Sequence, residues 1–410
     1  MGRSESFGTA FFLAGGRSKH DRPLFRMKRY GSGKPFPGRF WRVSCRDADE
    51  FERIRISGDS RFAATDISGA KSKCHMTTCK IAFFGTKPYD RQFFDRANER
   101  YGFDIRYYRG HLNRDTLVLT QGMDAVCIFV NDTADAEVIR GLEQNGVRLL
   151  ALRCAGFNNV DLKAALGKLT VVRVPAYSPY AVAEYALALM LSLNRKIYRA
   201  YWRTREGNFS LHGLMGFDMH GKNVGIIGTG KIARILVHIL RGLGMTVYGY
   251  DLYPDAAFAE EEGLIYTTLD ELYRRSDIIS LHTPLTDETR YLINAESIAK
   301  MKDGVMIINT GRGQLIHTND LIEALKNKKV GSAGLDVYEE EGDYFYEDKS
   351  DKIIDDDTLA RLLSFNNVVV TSHQAFFTRE AMDNIAETTL QNIQDFCDNR
   401  PLVNEVEYHK

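Results

Sequence analysis

From about residue 80 onward, short continuous runs of apolar residues alternate with stretches whose apolar positions recur at helical spacing. A run of four to six apolar residues bounded by turn formers reads as a strand buried on both faces. Such strands are expected at 80–84, 103–108, 124–130, 147–152 and 169–174, with helices between several of them, including 134–144 and 160–165. Repeated strand–helix alternation selects a parallel sheet covered by helices. Pro175 and Pro179 then bracket a break, and a segment rich in Ala, Leu and Met is expected as one long helix over 180–203 that joins two domains. Six further strands are expected at 224–227, 245–250, 277–281, 305–310, 331–335 and 367–371, the number of a doubly wound nucleotide-binding sheet. A last helix over 379–398 has no strand after it and is expected to cross back onto the first domain. The chain is therefore expected to be α/β, with two doubly wound parallel-sheet domains and a cleft between them. Residues 76–178 with 375–410 would form the first, and 179–374, connecting helix included, the second.

Composition changes this picture little. The 410 residues carry 54 basic and 54 acidic side chains, so no polyanionic or polycationic partner is implied and neither nucleic acid nor a membrane surface is expected. The balance hides an asymmetry, because residues 1–75 hold 16 Lys/Arg against 8 Asp/Glu. An organellar presequence fits the arginines, but Asp47, Asp49, Glu50 and Glu52 argue against it. A nucleic-acid-binding tail is another reading of this segment, and a disordered appendage another. The preferred expectation is that the functional protein starts at Met76, making 1–75 a disordered or non-native extension. The six cysteines, Cys45, Cys74, Cys79, Cys127, Cys154 and Cys397, show no metal-binding spacing and read as free thiols of a reducing, cytoplasmic compartment. No metal is expected. Apolar runs stay well short of the ~20 residues that a membrane helix needs.

The chemistry begins at a glycine turn. The strand Asn223-Val224-Gly225-Ile226-Ile227 runs into Gly228-Thr229-Gly230-Lys231-Ile232-Ala233, a helical stretch follows, and the next strand ends at Asp251. Gly228 permits the tight turn, Gly230 lets the backbone approach a pyrophosphate, and the helix start offers free N–H groups to it. A carboxylate at Asp251 suits the adenosine ribose hydroxyls and repels a 2′-phosphate, so NAD is the expected cofactor. Three later strands end in charged groups on the ligand side of the sheet: Arg312, then Asp336 and Glu341, then His373. Together these supply a cation, a carboxylate and a titratable acid, the set that reduction of a 2-oxo acid requires.

At these residues the chain resembles the D-isomer-specific 2-hydroxyacid dehydrogenases, and within them the fermentative bacterial D-lactate dehydrogenases. The likeness spans about 80–406. It rests on Arg153-Cys154-Ala155-Gly156-Phe157-Asn158-Asn159-Val160-Asp161, Val174-Pro175-Ala176-Tyr177-Ser178-Pro179, Phe345-Tyr346-Glu347-Asp348-Lys349-Ser350 and His373-Gln374-Ala375-Phe376. The resemblance implies two Rossmann-like or flavodoxin-like domains and reversible NADH-dependent reduction of pyruvate to D-lactate. His373 would protonate the carbonyl, Glu341 would hydrogen-bond its imidazole, and Arg312 would polarise the carbonyl and orient the carboxylate. Backbone N–H groups of Ala155 and Gly156 would hold the carboxylate from the other lobe, with Tyr177 and Phe376 against the substrate. Gly228, Gly230, Lys231, Ile232, Asp251, Thr283, Pro284, Thr310, Gly311 and Asp336 would bind NAD.

Relatives commonly have histidine in place of Tyr185 and aspartate in place of His317, departures expected to touch fine specificity or packing alone. Two readings compete with pyruvate reduction. One is reduction of another 2-oxo acid (phenylpyruvate, 2-oxoisocaproate, hydroxypyruvate or glyoxylate), and the other is a non-catalytic NAD-sensing, corepressor-like protein. The resemblance also implies a homodimer or homotetramer.

Overall fold

The computed structural model describes residues 79–408. The expectations for 1–75, for a start at Met76 and for Cys45 and Cys74 lie outside them. The first sheet is built from β1 (Lys80–Phe83), α1 (Pro88–Asn98), β2 (Asp104–Tyr107), β3 (Ala125–Ile128), α2 (Ala136–Gln144), β4 (Leu149–Leu152), α3 (Leu162–Ala165) and β5 (Thr170–Val172). All five strands are parallel in the order β2-β1-β3-β4-β5, so the strand order reverses between β1 and β3. That reversal leaves a crevice at the C-terminal strand ends, where ligands enter sheets of this kind. Residues of β3 and β4 are buried throughout, which is why their apolar runs show no alternation.

Two helices follow where one is expected. Ser178 caps Ala181 N and Pro179 occupies the first turn of α4 (Pro179–Arg195), and α5 (Ile197–Arg205) starts after a break at Lys196. Lys196 takes a left-handed conformation at φ +50°. The cause is tertiary: buried Asn194 donates to Phe217 O and accepts from Phe217 N, drawing a distant loop across the end of α4.

The second sheet comprises β6 (Asn223–Ile227), α6 (Lys231–Gly242), β7 (Thr246–Tyr250), α7 (Ala256–Glu262), β8 (Ile265–Tyr266), α8 (Leu269–Arg275), β9 (Ile278–Leu281), α9 (Ala295–Lys300), β10 (Val305–Asn309), α10 (Thr318–Lys326), β11 (Val330–Leu335), α11 (Asp357–Leu363) and β12 (Val368–Val370). It has seven parallel strands, β12-β11-β10-β9-β6-β7-β8, rather than six. The extra strand, β8, is two residues long on the edge beside β7 and too short to leave a periodic signal.

The chain ends in α12 (Arg379–Cys397), capped by Thr378. Its buried face, Met382, Ile385, Ala386, Leu390 and Ile393, shares a core with Ile81, Phe83 and Phe94 of the first sheet. Arg96 of α1 and Arg100 in the turn just after it pair with Asp383 and Glu387 along the same seam. Among the described residues no helix is long and apolar enough to cross a membrane, and no cluster of His, Cys, Asp and Glu is arranged to hold a metal.

Candidate active site

The ends of β10, β11 and β12 in the second sheet carry Arg312, Glu341 and His373, and loops after β3, β4 and β5 of the first sheet carry Phe129, Gly156 and Tyr177. His373 follows β12 and Glu341 follows β11, 32 residues apart in sequence. Nδ1 of His373 meets Oε2 of Glu341 at 2.7 Å, and Tyr338 N donates to the other Glu341 oxygen at 3.1 Å. Both side chains are about one-fifth exposed, so the pair is walled in but reachable. His373 has φ +52°, a conformation few side-chain-bearing residues adopt. Its N–H donates to Asp336 O at 2.7 Å, and its carbonyl accepts from Tyr346 Oη at 3.0 Å.

Asp336 is fully buried at the end of β11. Its carboxylate accepts from Thr371 Oγ1, Gln374 N and Ala375 N at 2.5, 2.9 and 2.7 Å. Burial raises this carboxyl above the usual range, and those three donors oppose the rise without cancelling it. Expected at the cofactor, Asp336 fastens the loop that carries His373.

Arg312 extends from the loop after β10, its Nη1 donating to Gly311 O at 2.8 Å. Nη2 lies 3.4 Å from the point where a side chain on Gly156 would begin, so the guanidinium faces the first lobe's Ala155–Gly156 turn. Arg173 Nη1 donates to Ala155 O at 2.9 Å and fixes that turn. Among the described residues neither the Ala155 nor the Gly156 N–H finds a protein acceptor. Tyr177 packs edge-on to Phe376 at 5.8 Å, and burial pushes its hydroxyl above the ordinary range while Arg312 pulls the other way.

Sequence reasoning missed two walls of the site. Phe129, after β3, lies 6.3 Å from Phe376 and 5.0 Å from Tyr346, ring to ring. Tyr346 lies 6.0 Å from the His373 ring. An aromatic at a strand end gives no local sign that it faces a cleft, although Tyr346 sits inside one of the segments that carried the resemblance. Of the two departures, Tyr185 accepts from Gln374 Nε2 at 2.8 Å and so touches the loop beside His373. His317 stays away from the pair, stacked edge-on to Tyr291 and 3.1 Å from Asp320.

The glycine turn fits a dinucleotide. Gly228 has φ +88°, and a Cβ there would lie 2.7 Å from the backbone of His282 and Thr283, so only glycine is admitted. Gly230, at the start of α6, has open space beside it. Thr310 Oγ1, just after β10, is buried with no hydrogen-bond partner among the described residues. Asp251 accepts from Thr229 N at 2.6 Å, Thr229 Oγ1 at 3.0 Å and Tyr253 N at 2.9 Å. Burial works against its charge, but these donors prevail and hold the carboxyl below its ordinary value. Lys231, Ile232, Thr283, Pro284 and Gly311 all lie in the loops and helix start around this turn and β10.

A sequence profile described as D-isomer specific 2-hydroxyacid dehydrogenase, NAD binding domain, matches residues 187–375. The 2-hydroxyacid dehydrogenase homolog of Haemophilus influenzae is 54% identical over 316 residues, 77% of this chain and 95% of that protein. The D-lactate dehydrogenase of Escherichia coli is 51% identical over 329 residues, 80% of this chain and 99% of that protein. Among solved structures, the pyruvate reductase of Chlamydomonas reinhardtii matches with a TM-score of 0.77 at 46% identity, covering 80% of this chain and 99% of that one.

Proposed function

The chain belongs to the D-isomer-specific 2-hydroxyacid dehydrogenases, NAD-dependent oxidoreductases, and on that premise we propose that it interconverts pyruvate and D-lactate. The observation that carries the reading is the His373–Glu341 contact at 2.7 Å, set in a cleft with Arg312 and closed by aromatic rings. NADH, when bound, supplies the hydride. Gly228, Gly230, Lys231 and Ile232 would hold its pyrophosphate and Asp251 its ribose, with Thr283, Pro284, Thr310 and Gly311 along the rest of its length.

The side chains do the remainder. Glu341 occupies Nδ1 of His373, leaving Nε2 as the nitrogen that hands a proton to the carbonyl oxygen. The carboxylate also fixes the ring's orientation and balances its charge while the ring is protonated. Arg312 presents a planar fork of donors to the substrate, suited to a carboxylate and able to polarise the neighbouring carbonyl. The free N–H groups of Ala155 and Gly156 would grip the carboxylate from the opposite lobe. Tyr177, Phe376, Phe129 and Tyr346 pack ring against ring at 5.0–6.3 Å into an aromatic wall that would receive the apolar end of the substrate.

We read the compartment as cytoplasmic, since Cys79, Cys127, Cys154 and Cys397 are all free thiols. We read the chain as self-associating through α5 and the loop after it, where large apolar side chains are exposed.

Steady-state consumption of NADH with pyruvate, phenylpyruvate, 2-oxoisocaproate, hydroxypyruvate and glyoxylate tests the assignment. Pyruvate should give the highest kcat/KM, and His373→Ala should lower turnover about 10²–10⁴-fold while NADH binding persists. Faster turnover of a bulky 2-oxo acid would reassign the substrate. A parent protein that binds NADH but reduces none of them would favour the sensor reading.

A further inference from the structure

After Glu341 the chain leaves the second sheet and runs across the cleft before α11 begins. Phe345 is buried, and its carbonyl accepts from Asn131 Nδ2 of the first lobe at 3.0 Å. Tyr346 has φ +68°, a strained backbone for a residue with a side chain, so its surroundings must hold it there. They do so from both lobes: its ring stands edge-on to Phe129, and its hydroxyl donates to the backbone carbonyl of His373. Glu347 reaches furthest. Its Oε1 accepts from Lys87 Nζ at 2.7 Å and from His111 Nε2 at 3.1 Å. Lys87 caps α1, and His111 lies in the loop after β2. Asp132, buried after β3, ties the His111 loop to the loop after β3 by accepting from Leu112 N and Phe129 N at 2.7 and 2.6 Å.

We propose that Glu347, gripped by Lys87 and His111, is an interlobe latch that positions His373 through Tyr346. The proposal rests on the reading of His373 as the proton donor. Lys87, His111 and Glu347 are thus positioning residues, remote from the reacting atoms. The groups facing the latch are Asp132 and Lys87, with Asp90 and Arg153 lining the same recess. A solitary exposed ion pair adds little to stability, so the latch is expected to act on geometry and to leave the folding free energy nearly unchanged. What distinguishes this pair from ordinary surface charge is its company. Groups from three first-lobe loops meet one short segment, and the middle residue of that segment is bonded to the proposed acid.

The test compares Glu347→Ala, Tyr346→Phe, their double variant and the charge swap Lys87→Glu/Glu347→Lys. NADH affinity should be unchanged in all of them, and thermal midpoints should stay close to that of the parent. Glu347→Ala and Tyr346→Phe should each lower kcat about tenfold. The double variant should be no worse than either single one, because both cut the same connection. The swap should recover most of the loss. Unchanged kcat in Glu347→Ala, or losses that multiply in the double variant, would overturn the latch. Amide exchange at 344–347 gives a readout independent of turnover, and Glu347→Ala should accelerate it. If the parent reduces no 2-oxo acid, the functional reading fails, and this exchange alone decides the latch: equal rates in parent and variant refute it.

Discussion

His373 and Tyr346 both carry side chains at positive φ, a choice costing of order 1–3 kcal/mol each and kept only where the surroundings over-determine it. Asp336 supplies that restraint for His373 through one backbone and three side-chain acceptor contacts around residues 371–375. At the latch, Asp132, 3.5 Å from Nδ1, is the largest influence raising the His111 pKa; burial pulls it down, and Glu347 adds to the rise. A folded-state value above the ordinary 6.5 means that His111 stabilises the fold fully below pH 6.5, and that this contribution is lost as pH climbs through the raised value. Burial works against the charge on Glu347, but Lys87 and His111 lower its pKa, so its share is present above pH 4.5 and lost on acidification. Proton NMR of the His111 ring should therefore give a midpoint above 6.5. Glu347→Gln should bring it down and Asp132→Asn further down; a midpoint indifferent to both would refute the electrostatic account.

At the scale of elements, α4 owes its close seat to small residues. Ala183 and Ala186 are buried in a shared core with α6, and a Cβ on Gly334 of β11 would meet Leu193 and Leu189 of α4 at 3.0 and 3.2 Å. Ala186→Leu has no room and should cost about 1–3 kcal/mol in urea unfolding, with the slope unchanged. Strands such as β3, β4 and β10 were legible in the sequence because burial on both faces leaves an uninterrupted apolar run. The bend at Lys196 was not, since a lysine in a left-handed conformation carries no glycine signature and the partner that draws Asn194 into place, Phe217, lies 23 residues beyond that asparagine. The site divides along the same line. Arg312, Glu341 and His373 announce themselves as charges at strand ends, whereas the Glu347–Lys87 contact joins residues 260 apart in sequence that only the tertiary fold brings together. Asp336 was legible as a strand-end acid, but its engagement with Thr371, Gln374 and Ala375 needed coordinates.

At the scale of the whole molecule, several large apolar side chains among the described residues stand exposed close together in sequence. Trp202, Phe209, Leu211 and Met215, on α5 and the loop beyond it, are 63–86% exposed. Such a patch suits contact with a second copy. If the chain self-associates through this patch, as proposed, Trp202→Glu combined with Met215→Glu should sediment as a smaller species than the parent; an unchanged sedimentation coefficient would refute the assignment. The seating of α12 on the first sheet has a consequence for synthesis. Phe83 and Phe94 take part of their cover from Met382, Ile385 and Leu390, and roughly 300 residues separate the two sets. At ribosomal speeds of about 5–20 residues per second, the nascent first sheet waits roughly 15–60 s for that cover. Through that interval an apolar face made early stands open to chaperones or to neighbouring nascent chains, and the lobe translated first is the last to be completed.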